Sequence, residues 1–161
     1  MRSRRHICCL AAAFLWLGLA ATGVWAQGIL QSYEVEPLTL ELADGSRHDF
    51  QVEMAETRAQ QVQGLMFRRN MDQFAGMLFV YDREAERTMW MKNTYIPLDM
   101  LFIDKNGIVV SYRERAVPGS LATIASGAPA MAVLELNSGM IARLGIRPGD
   151  RVLQRIFGTA P

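Results

Sequence analysis

The chain has 161 residues, with 17 Lys and Arg against 16 Asp and Glu, and two cysteines. This charge balance argues against a nucleic-acid partner, which selects a basic surface. The length sets an expectation of one domain, large enough to bury a core of its own.

The N-terminus begins with a positive head, Arg2, Arg4 and Arg5. An apolar run follows over 7–19, then the small residues Ala20, Ala21, Thr22 and Gly23, then Val24-Trp25-Ala26. This is the secretory signal pattern, and the expected cut is after Ala26, although Val24 is bulkier than the usual alanine. A retained anchor is the alternative, because 7–26 carries no charge and is about long enough to span a bilayer. Cys8 and Cys9 open the apolar run instead of closing it, which argues against a lipidated cysteine. The expectation is therefore an exported protein, periplasmic or secreted, touching a membrane only through an uncleaved N-terminal segment. Beyond Ala26 the remaining 135 residues hold 14 basic and 16 acidic residues, a net charge of −2, and no cysteine. That excludes a disulfide, a thiolate metal site and a cysteine nucleophile.

Residues 27–36 read as a lead-in to a single globular domain over 37–161. Alternation of apolar and polar residues predicts strands over 37–42 and 48–54, joined through Asp44-Gly45-Ser46 into a hairpin. Thr57 with Gln60 is a capping-box pattern, and Ala59, Val62, Leu65 and Met66 continue at helical spacing. A helix is predicted over 58–66, weakened by Gly64. Strands follow over 76–81, 88–94 and 97–103, with a charged turn at 82–87. Asn106-Gly107 marks a tight turn before a strand over 108–116. A long loop, 117–129, precedes a strand over 130–136. Asn137 or Ser138 is positioned to cap a helix over 140–144, ended by Gly145. Pro148-Gly149-Asp150 turns into a last strand over 151–157. About seven strands with two short helices give an α+β class: a mostly antiparallel, barrel-like sheet.

Asp99 interrupts the apolar run Pro97-Leu98-Met100-Leu101-Phe102-Ile103. In a strand it shares a face with Leu101 and Ile103, so it is a candidate buried carboxylate. Such a group needs a cation or several donors. Lys92, Arg68, Arg69 and Arg113 are possible partners, and a backbone-capping role after Pro97 is the plainer possibility. Glu135, within Val133-Leu134-Glu135-Leu136, repeats the theme. If the two met across the sheet they could share a proton or a metal, as in acid–base catalysis. Trp90-Met91-Lys92-Asn93-Thr94 sets an aromatic beside a cation and an amide, as in polar ligand sites. The same residues also fit a half-buried Trp with a Lys at the rim. Met89 and Met91 could form a thioether pair for Cu(I), although Met66, Met77, Met100 and Met131 lie on apolar stretches where Met fills gaps. Phosphate loops, paired-His zinc motifs and nucleophile elbows are absent from the sequence. No cofactor and no metal is expected.

Several blocks together carry a resemblance: Gly64-Leu65-Met66-Phe67-Arg68, Gly76-Met77-Leu78-Phe79-Val80, the stretch from Trp90 to Ile103, Val133 to Gly139, and Leu144 to Asp150. In order and spacing they resemble the domain of unknown function 192 family, over about 37–157. Met89 stands where an aromatic is common in that family, and Met140 where Trp is common. The resemblance implies a compact, β-rich domain, often exported, and assigns no activity. It marks the matching polar positions Arg68, Lys92, Asn93, Asp99 and Glu135 as candidates for one site. With Trp90 added, the expectation is a non-catalytic binding module for a small polar ligand or a cell-envelope partner. A hydrolase or lyase using Asp99 and Glu135, and copper binding through methionines, are the alternatives.

Overall fold

The computed structural model describes residues 30–159. The expected signal segment lies outside the described residues.

Strand β1 (Glu34–Glu41) pairs antiparallel with β2 (Arg47–Ala55). The predicted turn joins them: the Asp44 carboxylate accepts from the Ser46 amide at 2.8 Å, and Gly45 takes φ 84°. β1 starts within the expected lead-in because β2 runs to Ala55, and Glu34 finds its partner in Met54. Helix α1 (Arg58–Gln63) opens with the predicted capping box. The Thr57 hydroxyl accepts from the Gln60 amide at 3.3 Å, and the Gln60 side-chain carbonyl accepts from the Thr57 amide at 2.9 Å. The helix stops at Gln63, short of Met66, because Gly64 turns the chain at φ 48°.

β3 (Ala75–Met89) is one long strand, parallel to β2 and antiparallel to β6 (Ile124–Asn137). The expected turn at 82–87 is not a turn. Its charged residues lie within β3, where irregularities between Val80 and Ala85 and between Glu86 and Thr88 absorb the change in register. β6 likewise begins at Ile124, six residues before the predicted start, because its first half pairs with the second half of β3. The expected strand over 88–94 ends at Met89, and 90–97 is a turn segment. β4 (Leu98–Ile103) is buried along its whole length. β5 (Val109–Ala116) returns beside it after the predicted Asn106-Gly107 turn. There the Asp104 carboxylate accepts from the amides of Asn106 and Ile108, each at 2.8 Å. Helix α2 (Met140–Leu144) ends at Gly145 with φ 77°, as predicted. β7 (Arg151–Leu153) is shorter than predicted and gives way to a 3-10 turn over Arg155–Phe157.

The seven strands form one sheet in the order β5-β4-β6-β3-β2-β1-β7. All neighbours are antiparallel except β2 and β3. The sheet curls into a half-barrel, the α+β class read from the sequence. A bridge between Ile108 and Arg151 joins its outer strands. Alternate residues therefore fill two separate cores. The inner core holds Leu38, Phe50, Val52, Leu78, Leu101 and Leu134, with Met140 and Ile141 of α2. The outer core lies on the opposite face: Met77, Phe79, Met100, Phe102 and Val133, under Leu65, Met91 and Ile96 from the loops. Each buried aliphatic or aromatic side chain contributes about 1.5–3 kcal/mol, so a cysteine-free domain holds together without staples. The outer face is where the site forms.

Candidate functional site

Three segments rise around the outer face. α1 and the residues after it form one wall. The second half of β3 forms another. The turn over 90–97 forms the third, held to the 117–121 loop by bonds from the Met91 amide to the Ser120 carbonyl (3.0 Å) and from the Gly119 amide to the Thr94 carbonyl (3.0 Å). Between them lies a pocket of about 430 Å³. This lies within the size range of small-molecule sites.

Glu135 lines the pocket from the sheet below. It is 4% exposed. Its carboxylate has no hydrogen bond or ion pair among the described residues. Burial alone pushes its carboxyl up from the ordinary 4.5 to about 8. At neutral pH the group is mostly a neutral acid, with one proton to donate. Around it, buried Leu65 and Phe79 give apolar walls, and Tyr81 donates to the Met89 sulfur at 3.7 Å. Trp90, Lys92, Arg58 and Thr88 stand exposed at the mouth. The Lys92 ammonium lies 5.2 Å from the Trp90 ring centre, and the Arg87 guanidinium 3.9 Å from that of Tyr81.

Of the six residues singled out by sequence, Trp90, Lys92 and Glu135 meet at this pocket. Arg68, Asn93 and Asp99 do not line it. Arg68 makes a two-pronged ion pair with Glu53 of β2, which holds its guanidinium above the ordinary range. Asn93 builds the turn: it takes φ 56°, and its carbonyl accepts from the Phe67 amide at 2.8 Å.

Asp99 is fully buried on the other side of the sheet. Its partner across β6 is Leu136, while Glu135 pairs with Met100. Asp99 and Glu135 therefore project from opposite faces. The shared proton or metal imagined for them is excluded by this register. None of the four candidate cations reaches Asp99. Its carboxylate instead accepts from three backbone amides: Arg115 at 2.8 Å, Gly139 at 2.9 Å and Ile141 at 2.9 Å. It ties α2 to β4 and steadies Arg115, which sits at φ 52°. The methionine pair also divides. Met89 lines the pocket, but Met91 is wholly buried in the outer core. The other thioether in the lining is Met66, so the expected Met89/Met91 pair does not form there.

Sequence reasoning gave no role to Arg58, Gln61, Phe79 and Tyr81, which also line the pocket. Tyr81 was visible only as the end of a strand. Its role depends on β3 continuing past it, so that Arg87 returns over its ring.

The family model described as "Uncharacterized ACR", the domain of unknown function 192, matches residues 39–154. The chain belongs to this family. A crystal structure from Sinorhizobium meliloti 1021, of a suggested transcription regulator, is 47% identical with a TM-score of 0.77, covering 79% of this chain and 98% of that one. A protein of unknown function from Novosphingobium aromaticivorans DSM 12444 is 41% identical with a TM-score of 0.72, covering 74% of this chain and 85% of that one. No curated protein matches the chain.

Proposed function

We propose that this member of the domain of unknown function 192 family is an exported, non-catalytic binding module, with the Glu135 pocket as its site for a small polar ligand. The observation that carries this reading is the buried, unpartnered Glu135 carboxyl opening onto a pocket of about 430 Å³. No group among the described residues bonds to this carboxyl, and it faces the pocket, so a ligand entering there can complete its hydrogen bonds. Arg68, Asn93 and Asp99 support the reading as struts of the pocket walls and of the sheet beneath.

The description of the Sinorhizobium meliloti neighbour would call for a nucleic-acid surface. The balance of 17 basic and 16 acidic residues favours a small ligand instead.

Trp90 is the only tryptophan among the described residues and stands at the pocket mouth. A screen of small polar metabolites against its emission, with Trp90→Phe as the blank, tests the proposal. A ligand that shifts wild-type emission, and binds at least tenfold more weakly to Glu135→Leu, supports it. Ligands whose affinity ignores Glu135 would move the site elsewhere.

A further inference from the structure

The chemistry of the pocket narrows what it takes. Two ligand classes compete for a buried acid among aromatic rings. A cationic ligand would pair with an ionised Glu135 and lie on the ring faces. An anionic ligand would be held by the basic residues and accept the Glu135 proton in a hydrogen bond.

Three observations decide between them. First, the ring faces that a cation would use are already occupied from within: Arg87 lies 3.9 Å from the Tyr81 centre and Lys92 lies 5.2 Å from the Trp90 centre. Second, the charged residues of the lining other than Glu135 are Arg58, Arg87 and Lys92 against the single acid Glu86. Arg58 and Lys92 are exposed, and neither forms an ion pair among the described residues. An arriving cation meets like charge, and an arriving anion meets two cationic ends that no carboxylate of the described residues neutralises. Third, Glu135 is buried in the lining with Leu65 and Phe79, whereas Arg58 and Lys92 are exposed. A carboxylate at the mouth and an apolar body behind it would leave a hydrogen-bond acceptor facing Glu135.

We propose that the pocket takes a small organic anion: a carboxylate held by Arg58 and Lys92, an apolar body against Leu65 and Phe79, and an inner oxygen that accepts from Glu135. This rests on the reading of the pocket as a binding site. The titratable groups around Glu135 are the phenols Tyr33 and Tyr81, which its charge would raise, and the charged lining residues named above. Arg68 and Glu53 neutralise each other beside Tyr33. Desolvation raises both phenols above their ordinary 10.0, so they keep their protons through neutral and mildly basic pH. On the adjoining strands Met77 and Met100 stand opposite Glu135 and do not titrate.

The test uses four matched probes on the full chain. They are 4-acetylbenzoate, its primary amide, 4-acetylbenzylamine, and 4-isopropylbenzoate, which keeps the shape but lacks the inner oxygen. The readout is the methyl signals of Met66 and Met89, both in the lining. 4-Acetylbenzoate is expected to bind at least tenfold more tightly than the amide, and the amine more weakly still. That preference should vanish in the Arg58→Gln/Lys92→Gln double variant. Wild-type affinity should fall as pH rises above about 8, and Glu135→Gln should abolish that fall while still binding. Equal or tighter binding of the amide or amine overturns the anion class and leaves the site standing. Equal binding of 4-isopropylbenzoate overturns the contact with Glu135. Failure of all four probes to move either methyl removes the binding reading itself.

Discussion

Asp99 and Glu135 are carboxylates on adjacent strands, separated by one step of the register, yet their surroundings differ completely. Asp99 accepts three backbone amides, and Glu135 meets none. Replacing Asp99 by Ala leaves those amides buried without an acceptor. Denaturant titration should show a loss of about 3–5 kcal/mol. Glu135 makes a prediction of opposite character. Its carboxyl is held at about 8 in the folded chain against an ordinary 4.5, so the folded state keeps a proton that the unfolded chain releases. Its stabilising contribution is complete below the unfolded value and is lost as pH rises through the folded one. Between about pH 4.5 and 8 stability should fall by up to about 1.4 kcal/mol per unit. Glu135→Gln should flatten that slope, measured as thermal midpoints across pH. A slope unchanged in the variant would assign the titration to other groups. That both carboxylates were candidates for burial could be read from apolar residues on either side of each. Which face each one took could not, because the answer depends on the pairing of β4 with β6.

At the scale of elements, the sequence was legible where signals are local. The Asp44-Gly45-Ser46 hairpin, the Thr57 capping box and the Gly145 stop each depend on residues within a few positions of one another. The sequence misled where distant pairing decides. Residues 82–87 have the composition of a turn, but β6 offers a partner strand: Ala85 and Glu86 pair with it, Asp82 and Arg83 stay exposed, and Arg87 folds back over Tyr81. The same pairing converts the Pro-, Gly- and Ser-rich stretch 124–129 from loop to strand. The pocket shared this fate, since one wall is the extension of β3 that composition concealed. Gly64 ends α1 at the pocket wall under two constraints. Its φ is 48°, and an added Cβ would sit 3.0 Å from Phe79 Cζ. Gly64→Ala should cost about 1–3 kcal/mol in a denaturation curve, through backbone strain and crowding together.

For the whole molecule, the proposal of export gives a direct outcome. Expressed in a Gram-negative host, the full chain should be recovered from the periplasm with Gln27 as its first residue. Edman sequencing or intact mass checks this. An N-terminus still at Met1 in the membrane fraction would instead indicate a retained anchor. No helix among the described residues is long and apolar enough to cross a membrane.

The two cores lie on opposite faces of one sheet, and this separates two kinds of inheritance. The inner core, with Asp99 at its end, packs α2 against the sheet. The loops over 64–71, 90–97 and 117–123 stand on the other face and shape what the pocket admits. Leu65, Met91 and Ile96 anchor those loops in the outer core, and substitutions at their exposed positions can accumulate while the strands beneath keep their register. A lineage could thus retune what its copies recognise many times without passing through an unfolded intermediate. Relatives that share this scaffold need not share a ligand.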